Sequence, residues 1–270
     1  MSSNRKQVTD DRRRRIVELT AASSFLRPAD IADELNVSPE TIRRDLLVLE
    51  ETGLLRRVHG GALAVNVNTS EPSRVDRSTT GLEQKQQIAR IVAQLVSPSD
   101  IVFMDVGTTI ETAAHGLPAE FAGTLVTNSL AVGGLLNDRP ELELHMLGGR
   151  MRVGEMTTYG PDTLTQLSTF NASIAFIGSG GIDLAGGMTD YSPEDVAIKQ
   201  LMIKRATRTY ILATAEKFGI QAKRFVCALD DVDGVITDGT LDAESAEEFR
   251  ANGVDVITPD SFASSQARSA

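Results

Sequence analysis

The sequence predicts an α/β protein in two parts: a small helix-turn-helix head, followed by a larger body built on an open, mostly parallel sheet. Three observations carry that expectation. Apolar residues recur at helical spacing on both sides of a tight turn at Asn36-Val37, with a helix-capping serine directly after it. From about residue 100 onward, apolar runs of strand length alternate with helical patterns, the signature of βα units. The charge is also partitioned. The whole chain carries −10, but residues 1–62 hold 11 basic and 10 acidic side chains, whereas residues 63–270 hold 16 and 27. An acidic body repels nucleic acid except where the head presents its arginines.

The head is predicted over residues 9–64, with the helix-turn-helix from Leu26 to Asp45. Arg12 to Arg15 read as the polar face of a first helix, because the apolar run after them is too short and too polar for a twin-arginine export signal. Arg27 to Leu35 read as a second helix that buries Ile31 and Leu35. Ser38 suits an N-cap that accepts from the N–H near Thr41, and Pro39 suits the first helical position, where its missing N–H costs nothing. Ile42, Leu46 and Leu49 share the inner face of this third helix. Thr41, Arg43 and Arg44 are left to meet something outside. A capped helix N-terminus followed by two arginines fits phosphates on one side and guanine edges on the other. On charge pattern alone, an ordinary solvated helix face is the competing reading. After Gly53, Leu54 to His59 read as a strand entering a hairpin at Gly60-Gly61, which makes Arg56, Arg57 and His59 a basic wing.

Residues 65–81 are polar and lack a helical period, so they are expected to be a linker, with room for a strand at its wing end. The body is predicted over residues 82–260. A helix at 87–95 turns through Ser97-Pro98-Ser99-Asp100 into a buried strand at 101–104. Further strands are expected at 124–127, 142–147, 174–177, 209–213, 225–229 and 235–237, mostly parallel, and residues 264–270 read as a frayed tail. Hydrophobic residues make up 41% and charged residues 24%, and no apolar run approaches the roughly 18 residues of a membrane span. The single cysteine, Cys227, lies in an apolar run and has no disulfide partner in the chain, so a core role and a cytoplasmic location are expected, with no membrane partner.

In the body, small polar residues follow the strands. Asp105, Gly107, Thr108 and Thr109 follow the first, Asn128 and Ser129 the second, Gly148 and Gly149 the third, and Gly178 and Gly180 the fourth. The carboxyl ends of the strands of an open α/β sheet form its ligand crevice. A glycine and two threonines at a helix N-terminus suit a phosphate. The plain alternative is that each is a strand-to-helix turn, where these residues are favoured anyway. Lys199 and Lys217 could complete an anion site, or be ordinary surface lysines. A third glycine of the dinucleotide fingerprint, a phosphate-loop lysine motif, a nucleophile elbow and a metal-spaced His/Cys set are all missing, so no cofactor or metal is expected.

The run RPADIADELNVSPETIRRDLLVLEETGLLRRVHGGA resembles the DNA-binding domain of DeoR-type bacterial transcriptional regulators. DVGTT, VTNS, LGGR, FIGSGGI and EKFG resemble the sensor domain of the same family, whose fold is related to sugar-phosphate isomerases. The resemblance covers nearly the whole chain. It implies a winged helix-turn-helix that binds double-stranded operator DNA, and a repressor of a carbohydrate operon controlled by a phosphorylated sugar. It also implies a homo-oligomer, dimer or tetramer, and it adds Glu194 to the effector-site candidates. One departure stands out: the family usually carries an aspartate shortly before the EKFG-like lysine, where this chain has Ala213-Thr214-Ala215-Glu216. The rival reading is an isomerase-like enzyme with an appended DNA-binding domain, using Asp105 or Glu194 as general base.

Overall fold

The computed structural model describes residues 9, 12–17, 19, 20, 26–51, 55–58, 61–64, 66–68 and 71–269, with the backbone alone at 51, 56–58, 61–64, 66–68 and 267–269. The chain divides into two compact units, Met1–Val67 and Asn68–Ala270.

In the first unit residues 12–17 are helical, followed by α1 (Pro28–Glu34) and α2 (Pro39–Glu51). Asn36 turns the chain between α1 and α2 with φ 51°, a left-handed conformation that asparagine tolerates better than most residues. The Ser38 Oγ accepts from the Thr41 N–H at 3.2 Å, which satisfies one of the orphan donors at the start of α2. Ile16, Ile31, Ala32, Ile42, Leu46, Leu49 and Leu55 form the core of this unit, so the i, i+4, i+7 pattern of α2 is its buried face. The arginine run is not simply a polar face. Arg12 and Arg13 donate through Nε to the two carboxylate oxygens of Asp45, at 2.6 and 2.8 Å, and the Asp45 side chain is almost fully buried. The wing is the antiparallel pair β1 (Leu55–Val58) and β2 (Gly61–Ala64), in register from Leu55↔Ala64 to Val58↔Gly61. A short strand, β3 (Asn66–Asn68), follows.

The second unit opens with α3 (Arg74–Thr79) and α4 (Leu82–Leu95), then β4 (Ile101–Met104), α5 (Thr108–His115), β5 (Thr124–Thr127), α6 (Leu130–Leu136) and β6 (Glu143–Met146). A hairpin of β7 (Arg150–Arg152) and β8 (Thr157–Tyr159) leads through α7 (Pro161–Leu167) to β9 (Ala172–Gly178), β10 (Gly181–Asp183) and β11 (Gly187–Asp190). Then come α8 (Pro193–Arg205), β12 (Ala206–Leu212), β13 (Ile220–Ala222), β14 (Arg224–Cys227), β15 (Gly234–Ile236), α9 (Ala243–Ala251), β16 (Val256–Ile257) and α10 (Pro259–Ser269). The main sheet has the order β16-β15-β12-β9-β4-β5-β6, and its paired strands are all parallel. Alternate residues enter two separate cores: Val102, Met104, Ile174 and Phe176 on one face, and Phe103, Ala175, Ile177 and Ile211 on the other. That two-sided burial is why the strands read as continuous apolar runs. No helix among the described residues is long and apolar enough to cross a membrane.

Three expectations are corrected. The stretch read as a linker contains α3, capped by the Ser73 Oγ accepting from the Asp76 N–H at 3.1 Å. It buries no residue of its own, so it left no hydrophobic period to read. The run at 225–229 is not a strand of the main sheet: β14 pairs antiparallel with β11 in a separate three-stranded sheet, and a 3-10 turn follows at Leu229–Asp231. An apolar run encodes burial and not the identity of its partner strand. The tail is helical as α10, and Phe262 anchors it in the core.

Candidate functional site

Along the sheet, β5 and β6 lie on one side of β4, while β9, β12, β15 and β16 lie on the other. The order therefore reverses between β4 and β9, where successive connections leave to opposite faces and open a crevice beyond the carboxyl ends. A cavity of about 430 Å³ occupies this point. Gly107, Thr108 and Thr109 line it after β4, Gly178 and Gly180 after β9, and Lys199 and Lys217 complete the predicted residues that reach it. Gly107 has φ 110° and ψ 157° as the N-cap of α5. A Cβ there would meet nothing within 4 Å, so glycine is required for the backbone angle, and the space beyond it stays open to a ligand.

Asp105 does not line the cavity but supports its floor. Its Oδ2 accepts from the Gly178 N–H at 2.9 Å and from the Lys199 ammonium. Lys199 is 1% exposed. It also donates to the Gly178 carbonyl at 2.9 Å and pairs with Asp190 at 3.2 Å. Burial acts to lower its pKa, but Asp105, Asp190 and Asp195 outweigh that, so it is raised and Lys199 stays a cation. With three N–H donors directed to three partners, Lys199 is a structural tie between the ends of β4 and β9. Lys217, in the 3-10 turn Ala215–Lys217, pairs with Glu216 at 3.9 Å. The Asp238 carboxylate accepts from the Ala215 N–H at 2.8 Å, at the start of this turn.

Five further predicted residues lie outside the cavity lining. Asn128 donates to the Thr158 carbonyl at 2.9 Å, and the Ser129 Oγ accepts from the Val132 N–H at 3.2 Å as the cap of α6. The Gly148 N–H donates to Gln166 at 3.0 Å. Gly149 has φ 147°, and a Cβ there would lie 2.1 Å from Thr163 Oγ1 and 2.6 Å from the Tyr159 carbonyl, so its glycine serves close packing against the β7–β8 hairpin. Glu194 accepts from the Ser192 hydroxyl at 3.0 Å in the first turn of α8. Of the two carboxylates considered as a general base, Asp105 is tied to Lys199 and Glu194 is not part of the lining.

Sequence reasoning missed several lining residues, because they come from the segment read as a linker and from the β7–β8 hairpin. Arg77 pairs with Glu71 at 3.1 Å and with Glu155, while Arg152 pairs with Glu71 at 2.5 Å and with Asp195 at 2.6 Å. The Lys85 ammonium donates to the Arg77 carbonyl and, at 2.7 Å, to that of Thr80. Burial lowers the pKa of this lysine. The Thr108 hydroxyl donates to the same Arg77 carbonyl at 3.2 Å. Partners such as Glu71 and Arg152, 81 positions apart in the chain, leave no local pattern.

Burial also pushes Asp195 up to about 6 from 3.8, against the pull of Lys199 and Arg152. Native Asp195 therefore keeps a proton that the unfolded chain has lost between about pH 4 and 6, and its contribution to stability falls as pH rises through that window. Asp195→Asn is expected to gain on the parent as pH rises from 4.5 to 7, by about 2 kcal/mol. Calorimetric melting of both proteins across this range checks it, and a constant difference would refute it. Cys227 is buried, and burial pushes its thiol up to about 12, which suits a core residue and not a reactive one.

In the first unit, Arg43 and Arg44 are exposed on α2 and each reaches Glu40, at 3.4 and 3.6 Å. Ser38 and Thr41 sit at its N-terminus, where their hydroxyls lie 2.8 Å apart. Arg56 and Arg57 lie on β1, and His59 falls outside the described residues.

A helix-turn-helix unit with an arginine-bearing outer helix face, joined in one chain to an α/β unit with a ligand-sized cavity at its switch point, defines a DNA-binding regulator with a sensor domain. The chain belongs to the DeoR family of transcriptional regulators: residues 12–68 match the DeoR-like helix-turn-helix domain and residues 80–239 the DeoR C-terminal sensor domain. It is 33% identical to the HTH-type transcriptional regulator GlpR of Haloferax volcanii, over 92% of this chain and 96% of that protein. It is 32% identical to the glycerol-3-phosphate regulon repressor of Escherichia coli, over 83% and 88%. Among solved structures, a ribose 5-phosphate isomerase A from Methanocaldococcus jannaschii aligns at a TM-score of 0.35 and 14% identity, over 50% of this chain and 53% of that one.

Proposed function

We propose that this protein represses a sugar or carbohydrate catabolic operon, and that a phosphorylated sugar bound in the second unit controls its hold on operator DNA. The observation that carries the effector half is the cavity at the β4/β9 switch point, where the N-terminus of α5 opens beside Gly107 and Lys217 stands across the lining. Backbone N–H groups, the positive end of the helix dipole and an ammonium together suit a phosphate. The regulon repressor named for glycerol 3-phosphate, among the relatives, supports a phosphate ester of a polyol or sugar as the class. The DNA half rests on α2 and the wing. Ser38, Thr41, Arg43 and Arg44 present the helix to a major groove, and the basic residue types Arg56, Arg57 and His59 in the wing sequence suit contacts to phosphate. A dimer or tetramer would match a two-fold operator.

Thermal shift of the full chain against phosphorylated sugars, with the same sugars lacking phosphate as controls, tests the effector half, since a ligand that binds only the folded state raises its apparent stability. A ligand shifts a regulator only through its differential affinity for two states. Thr108→Val and Lys217→Ala are therefore expected to abolish the response to the phosphorylated sugar while leaving ligand-free operator affinity near that of the parent. A variant that still responds at the parent's ligand concentration would remove its residue from the site. Loss of operator affinity itself would mark the position as structural.

A further inference from the structure

We infer that Arg77 and Arg152 form the effector's anion clamp, and that Glu71 is a tethered carboxylate which fills the clamp until the effector displaces it. The inference rests on the sugar-phosphate reading above and adds residues that reading does not contain. Its basis is the way Glu71 is bound. One carboxylate oxygen meets Arg77 at 3.1 Å and the other meets Arg152 at 2.5 Å, so a single anion bridges two guanidinium groups as two oxygens of a phosphate would. Neither arginine rests on Glu71 alone: Arg77 also holds Glu155, and Arg152 also holds Asp195. Both stay in position when Glu71 leaves.

The charge balance points the same way. The cavity lining carries six acidic and six basic side chains, so a dianion could enter only an already neutralised site. Its entry is favoured if a carboxylate departs from the two groups that receive it. Glu71 can depart, because it lies outside any helix or strand, and Pro72 and Ser73 beside it are exposed. The segment that follows it behaves as part of the same internal ligand. The Arg77 carbonyl accepts from both Thr108 and Lys85, and the Thr80 carbonyl accepts from Lys85. Three cationic side chains and a hydroxyl at the cavity are thus occupied by oxygen atoms of residues 71–80. Glu71 follows the first unit by only four positions in the chain, so its release changes the restraint on the segment that leads to the DNA-binding unit.

Because the filled state must open before ligand binds, it raises the apparent dissociation constant by the reciprocal of the open fraction. Glu71→Gln keeps the shape and removes the charge. In the full chain it is expected to bind a hexose 6-phosphate and inorganic phosphate about tenfold more tightly than the parent, corresponding to an open fraction of roughly one in ten. Glu216→Gln removes one charge from an exposed rim carboxylate and is expected to change affinity by less than about twofold. If the parent binds the hexose phosphate and Glu71→Gln binds it no tighter, or Glu216→Gln tightens it equally, the tethered-anion inference is overturned while the effector reading stands. If neither the parent nor Glu71→Gln binds either probe, both are overturned.

Discussion

Lys199→Met is expected to destabilise the second unit by roughly 3–5 kcal/mol, the cost of removing one partner from a buried ion pair. In a unit of this size that is a fall on the order of 10 °C in its melting temperature. The reason is specific to the site. Lys199 is the shared cation of Asp105 and Asp190, and its side chain and that of Asp105 are essentially inaccessible to water. Methionine restores the packing volume but leaves the Asp105 and Asp190 carboxylates without the cation they share. Burial raises the pKa of Asp105, so protonating it relieves the repulsion and the deficit should shrink as pH falls. Combining Lys199→Met with Asp105→Leu should recover much of the loss, because a buried pair replaced by apolar groups of similar volume is often tolerated. Calorimetry of the full chain measures all three proteins. A loss below about 1 kcal/mol for the single variant would show that Lys199 is not the tie between β4 and β9.

Asp45→Ala is expected to abolish operator binding by unfolding the first unit, at a cost of about 2–4 kcal/mol for breaking a buried, charge-assisted pair of contacts. Its neighbour separates fold from contact. Arg44 is 77% exposed on its side chain, so Arg44→Ala should leave the unit folded. If Arg44 reads a base edge, the same change should weaken the true operator by roughly 1–3 kcal/mol more than random duplex. Limited proteolysis reports folding, and titration of both duplexes reports binding. Equal losses on operator and random DNA for Arg44→Ala would end its base-reading role. An Asp45→Ala protein that resists protease like the parent would show that the Arg12 and Arg13 contacts are dispensable.

The amino-acid sequence by itself determined the parts that depend on local chemistry. Ser38, Pro39 and the spacing of Ile42, Leu46 and Leu49 mark α2, because capping and helical periodicity act within a few residues. The apolar runs at β4, β5, β9, β12 and β15 mark strands buried on both faces. Gly107-Thr108-Thr109 marks the start of α5, because the backbone conformation at Gly107 belongs to residue type. The tertiary structure decided everything that depends on which strand lies beside which. It placed the switch point between β4 and β9, and so brought Gly107 and Gly178 to one cavity while Asn128, Ser129, Gly148 and Gly149 went to capping and packing. It held Lys199, which lines the cavity, in a buried tie to Asp105, Gly178 and Asp190. It also made Glu71, Arg77 and Arg152 neighbours, though Arg152 lies far along the chain and the other two sit in a stretch with no apolar period. Ion pairs of that kind form only when the sheet has closed, since their partners are selected by the fold's topology and not by sequence proximity.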